Sequence, residues 1–128
     1  MKMEYRKLPH GSEQISVLGF GTSSIGMAGE KETEATMAMA LENGINYFDM
    51  ASADAVPFGA FGRAMAGQRE NVYFQIHFGA DYQSGTYGWT TDLDTIKRSV
   101  DWQLKELKTD YIDFGFLHCI DEKRDMEH

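Results

Sequence analysis

Cysteine occurs once in the 128 residues, at Cys119, which excludes an internal disulfide and any cysteine-cluster metal site. Proline occurs only at Pro9 and Pro57, and the thirteen glycines are scattered singly, so there is no linker, repeat or low-complexity tract. No apolar run approaches the roughly 18 residues of a membrane span, and the opening segment 1–9 is too charged for a signal peptide. Bases are scarce: twelve Lys and Arg against twenty Asp and Glu give a net charge of −8. That balance argues against nucleic acid and against an anionic membrane surface, both of which need a basic face. What remains is 42% hydrophobic and 12% aromatic, a globular composition. The length suffices for one domain, 1–128, with a core that needs no staples. A cytoplasmic protein is expected.

The patterning alternates between strands and helices. Segments 4–8 and 14–18 read as a hairpin around a Pro-His-Gly-Ser turn, and 18–22 as a short buried strand. A helix is predicted over 30–43, with early acids at the positive end of its dipole and Gly44 as a left-handed cap. Strand 45–50, helix 58–66 with Pro57 at its first turn, and strand 71–78 follow. A Gly/Tyr/Ser-rich loop, 79–90, leads to a helix over 92–108, whose Leu93, Ile96, Val100, Leu104 and Leu107 form one stripe. Thr91 and Asp94 suggest a capping box at its start. The last strand is predicted over 111–120, before a charged segment, 121–128. Strands alternating with helices imply a parallel sheet, whose functional residues gather at the carboxyl ends of the strands. Gly21, Thr22, Asp49, His77 and His118 all lie there.

Taken singly, most motifs are weak. Gly19-Phe20-Gly21 lacks the third glycine of a dinucleotide fingerprint, and Gly21 to Gly26 lacks the lysine of a phosphate loop. The plainer reading is a close-packed turn between strand and helix. His118 and Cys119 are adjacent on a strand, point to opposite faces and cannot share a metal. Cys119 reads as a small buried hydrophobe, His10 and His128 as solvated, and the methionines and phenylalanines as core. His77, His118 and Asp49 together are harder to dismiss, because a polar cluster at that end of a parallel sheet usually faces a pocket.

Residues 18–22 (LGFGT), 44–51 (GINYFDMA), 61–65 (FGRAM), 71–79 (NVYFQIHFG) and 110–118 (DYIDFGFLH) resemble the aldo-keto reductase family, in the expected order across nearly the whole chain. The resemblance implies an α/β fold of the (β/α)8 TIM-barrel type. Here it would be an N-terminal half barrel, with a capping hairpin over 1–17, β-α-β-α-β-α-β over 18–120, and the next segment beginning at 121–128. It implies NADP(H)-linked reduction of a small carbonyl, or oxidation of an alcohol, with Gly21, Thr22 and Asp49 as cofactor-binding positions. Such barrels take about 250 residues, so a fragment of a longer protein is expected, or self-association through the open strand edges. Weak or absent cofactor binding is expected of the fragment, because the family carries most of its phosphate-binding residues in the other half.

The resemblance also assigns the catalytic positions. Asp49 and His118 match the family's Asp and His, whereas Asp54 stands where the family has its proton-donating Tyr and His77 where it has Lys. A carboxylic acid, with a reference pKa of about 3.9, is an anion at neutral pH and a poor donor to a developing alkoxide. Phe58 has no hydroxyl, and Tyr82 and Tyr87 lie in a different loop. His77, its charged form favoured by Asp49 and Asp54, is then the expected acid, and His118 the group that orients the carbonyl. Two other readings stay open. One is a non-catalytic barrel-like binding or regulatory module; the other is a metal site of Asp49, His77 and His118, which have the ligand types of a two-histidine, one-carboxylate triad.

Overall fold

The computed structural model describes residues 2–118. Cys119 and the segment 121–128 lie outside the described residues. The chain opens with an antiparallel hairpin of β1 (Tyr5–Lys7) and β2 (Gln14–Ser16). It continues through β3 (Phe20–Gly21), α1 (Glu30–Glu42), β4 (Tyr47–Asp49), α2 (Val56–Ala64) and β5 (Tyr73–Phe78). After a small ladder of β6 (Ala80–Asp81) with β7 (Gly88–Trp89) come α3 (Leu93–Leu107) and β8 (Phe114–Leu117). The main sheet has the order β3-β4-β5-β8 with every pair parallel. The protein is an α/β half barrel, as expected, with three α-helices on one face of the sheet.

Strand alternation divides the residues between the two faces. Phe48, Phe74 and Ile76 point toward the helices and are buried with Met37, Phe58 and Phe61. Burying each such side chain contributes about 1.5–3 kcal/mol, and the ring pairs Phe48–Phe61 at 4.4 Å and Phe61–Phe74 at 6.2 Å tie sheet to helix. The opposite face carries Asp49, Gln75 and Phe114 in one register row and His77 with Phe116 in the next. Its residues are half-buried or exposed. No helix among the described residues is long and apolar enough to cross a membrane.

Several expectations need correction. The segment 18–22 is not a buried strand, since only Phe20–Gly21 pair and Leu18, Gly19 and Gly21 are exposed, and Met27, Met39 and Phe116 lie outside the core. The 79–90 segment is not simply a loop, since it holds the β6–β7 ladder. The cap of α3 is Asp92, whose carboxylate accepts the Thr95 N–H at 2.8 Å, not a box of Thr91 and Asp94. The buried face of α3 holds Ser99, Gln103 and Leu107, while Leu93 from the apolar stripe is 59% exposed. Ser99 Oγ donates to the Ala80 carbonyl at 2.7 Å and accepts from Gln103 Nε2 at 3.1 Å, which gives both buried side chains a partner and leaves only Gln103 Oε1 without one. Finally, the turn after β3 is close-packed at Gly26, where an added Cβ would lie 2.2 Å from Asp54 Oδ1, but open at Gly21, where it would meet nothing within 4 Å.

Candidate active site

The carboxyl end of the sheet assembles a polar cluster. β4 ends in Asp49 and β5 carries His77, and parallel register puts both on the face away from the helices. His77 Nε2 lies 3.0 Å from Asp49 Oδ1. Phe116 stacks on the His77 ring at 5.8 Å, and the His118 ring meets it edge-on at 5.5 Å. His77 and His118 therefore share one face. Burial, followed by the charge of nearby His77, pushes the His118 pKa down, which favours a neutral imidazole at pH 7.

Asp54 lies elsewhere. Its Oδ1 accepts the Val56 N–H at 2.9 Å, starting α2, and its carboxylate fills the space that a side chain at Gly26 would occupy. Of the two carboxylates expected to favour charged His77, Asp49 is the one that bonds its ring. The Thr22 hydroxyl donates to the Asp49 carbonyl at 2.7 Å and ties the end of β3 to that of β4. Gly21, opposite Asp49 in register, faces open space.

Tyr87 enters from the segment that sequence reasoning had set aside as a different loop. Its hydroxyl lies 2.5 Å from His118 Nε2. The segment folds back because Gly79 has φ +105°, a conformation that L side chains rarely adopt. A Cβ there would also lie 2.9 Å from the Thr90 carbonyl and 3.3 Å from His118 Cβ. Backbone bonds from Tyr87 N to Ala53 O and from Ala55 N to Gly85 O, both 3.0 Å, fix this segment to the one that carries Asp54. The glycine-spaced, tyrosine-bearing composition of 79–90 was the available signal. Tyr82, buried against Phe58 and Trp102, packs 5.9 Å from the Tyr87 ring.

The two histidines turn Nε2 to different partners, Asp49 and Tyr87. Among the described residues no three His, Cys, Asp or Glu side chains are grouped to hold a metal ion. A recess whose lining includes Leu8, His10, Glu13, Tyr73, Asp113 and Phe114 lies at the amino end of the strands, beneath the hairpin. His10 makes no hydrogen bond or ion pair with the Glu13 or Asp113 carboxylate there, unlike His77 with Asp49 at the carboxyl end.

Residues 17–128 match the sequence profile of the Aldo/keto reductase family. The chain belongs to that family. The uncharacterized oxidoreductase YqkF of Bacillus subtilis (strain 168) is 34% identical over 122 residues, covering 91% of this chain and 39% of the relative. L-galactose dehydrogenase of Arabidopsis thaliana is 30% identical over 132 residues, covering 94% and 39%. Among solved structures, the aldo-keto reductase AKR11C1 from Bacillus halodurans (holo form) superposes with a TM-score of 0.80 at 30% identity. That likeness covers 98% of this chain and 43% of the AKR11C1 chain. This aldo/keto reductase chain thus spans about two-fifths of the length of the relatives it matches.

Proposed function

We propose that this chain supplies the catalytic end of an NADP(H)-linked oxidoreductase that reduces a small carbonyl or oxidises the corresponding alcohol. The observation that carries the reading is the Asp49–His77 pair at 3.0 Å, with His118 beside it at the carboxyl end of a parallel sheet. When bound, the cofactor supplies or accepts a hydride.

The residues present fit the nicotinamide end of such a cofactor. Gly21 leaves open space next to the half-exposed Asp49 carboxylate, so that a ring could approach the backbone. Thr22 holds Asp49 through its backbone and serves the site by position. Among the described residues, Arg63 is paired with Glu30 and Glu34 and Arg69 with Asp113, so neither guanidinium is open to a phosphate. Residues beyond this chain would bind the cofactor's phosphates, and binding by the chain alone would be weak or absent.

In this reading Asp49 fixes the orientation of His77 and supports charge in the site. His118, its neutral form favoured by burial, orients the carbonyl through the Tyr87 hydroxyl that its Nε2 contacts. Asp54 is a start signal for α2 and not an acid in the reaction. A cytoplasmic setting suits an acidic chain with one cysteine. The test is NADPH consumption with a panel of small aldehydes and ketones by the longest polypeptide that carries this chain, beside Asp49→Asn. Turnover that Asp49→Asn suppresses supports the reading. NADPH binding without turnover would favour a binding module instead.

A further inference from the structure

We propose that Tyr87, reaching the site from the segment between β5 and α3, is the proton donor of this reductase. The proposal rests on the oxidoreductase reading above and names the group that completes it. The usual donor position holds Asp54, whose carboxylate is engaged by the Val56 N–H and packed over Gly26. The alternative acid, His77, turns its Nε2 to Asp49. Tyr87 is the phenol whose oxygen touches His118, the residue expected to orient the carbonyl.

Three features argue that this placement is built. Gly79 reverses the chain where a side chain would strike the Thr90 carbonyl and His118. Thr90 N then bonds Gly79 O at 2.8 Å and closes the reversal. The Tyr87 backbone is held by Ala53, and Thr86 bridges Asp54, so the hydroxyl is positioned by the loop that has lost its own donor. Tyr87 is 41% exposed, so a substrate can approach it and solvent can restore its proton.

The step balances. A bound reduced nicotinamide would supply hydride to the carbonyl carbon and be left oxidised, the carbon–oxygen π pair would move onto oxygen, and that oxygen would take the proton of Tyr87 Oη. Alcohol and phenolate result, and water reprotonates the phenolate. Either tautomer of His118 fits the contact with Tyr87. The productive one carries its proton on Nε2, donates to the phenol oxygen and stabilises the phenolate once the proton has passed to substrate.

The test uses the longest polypeptide that carries this chain, as wild type, Tyr87→Phe and His77→Ala. Nitrogen-15 NMR of the wild type should find His118 protonated at Nε2 near neutral pH, with the Nε2 resonance displaced in Tyr87→Phe. Turnover of NADPH with a reactive aldehyde should fall by about 10²–10⁴-fold in Tyr87→Phe, the usual effect of losing a general acid, with NADPH affinity unchanged. An unprotonated Nε2 in the wild type overturns the proposal, even should Tyr87→Phe fail to fold. Turnover that survives Tyr87→Phe but not His77→Ala overturns it too, makes His77 the acid and leaves the family reading intact. A wild type that binds no NADPH and turns nothing over overturns the oxidoreductase reading and this assignment with it.

Discussion

Asp54 stands over Gly26 so closely that a Cβ at position 26 would lie 2.2 Å from Asp54 Oδ1. The same oxygen accepts the Val56 N–H, so the room left by Gly26 lets Asp54 begin α2. Gly26→Ala should destabilise the protein by about 1–3 kcal/mol, the range for forcing extra atoms into a packed site. Removing the Asp54 carboxylate alone should cost about 1 kcal/mol as a lost cap-like bond. Urea midpoints of the two single variants and the double variant check this. Gly26→Ala should cost far less when Asp54 is already Ala, because the two residues compete for one space.

Arg69 carries a second joint. Its guanidinium donates to Thr109 Oγ1, Val72 O, Tyr111 O and Asp113 Oδ2, and it lies 4.5 Å and 3.8 Å from the ring centroids of Phe74 and Tyr111. Asp113 Oδ2 also accepts the Phe74 N–H at 3.0 Å, so the pair clamps the starts of β5 and β8. Arg69→Met leaves a mostly buried carboxylate without its cation and should cost about 3 kcal/mol or more. The expected reading is a lower thermal midpoint at pH 7.

Much of this was legible in the sequence. The order of strands and helices followed from apolar periodicity and from Gly44 and Pro57, which act within a few residues. The convergence of Asp49, His77 and His118 followed from strand alternation, which fixes the face of each side chain once the register is known. Tyr87 was not legible. Its place depends on the positive φ at Gly79 and on backbone bonds to residues 53–55, which are remote in sequence. The buried face of α3 was misread for a similar reason: Ser99 and Gln103 are buried because Ala80 offers them a carbonyl, directly and through Ser99.

Tyr82 should set the alkaline limit of stability. Burial pushes its hydroxyl up to about 12, and its oxygen has no hydrogen-bond partner in good geometry, although the nearby Ser52 backbone opposes the shift. A tyrosine whose folded pKa is raised favours the folded state fully below its unfolded value of about 10, and this contribution is lost as pH rises toward the folded value. Stability should therefore decline between about pH 10 and 12. Tyr82→Phe should flatten that decline and, by removing an unsatisfied buried hydroxyl, raise stability at pH 7 by about 1 kcal/mol. Urea unfolding at pH 7 and pH 10.5 checks both effects.

Among the described residues the sheet has two open edges, which predict how the 128-residue chain behaves alone. β3 and β8 flank the sheet, and Phe116 and Leu117 on β8 are 45% and 58% exposed, with Val17 and Leu18 exposed just before β3. Unpaired strand edges bearing apolar side chains favour pairing with a second copy. Sedimentation should find a dimer at micromolar concentration, and Phe116→Lys with Leu117→Lys should shift it toward monomer. A wild-type chain that remains monomeric would contradict this expectation.

NADPH binding and consumption, measured side by side for the 128-residue chain and for the longest polypeptide that carries it, tests the account most directly. The prediction is carbonyl-dependent NADPH oxidation by the longer protein, with no measurable turnover and weak or absent NADPH binding by the chain alone. Comparable turnover by the chain alone, or none by the longer protein with reactive aldehydes, would contradict the assignment of this site to one part of a reductase.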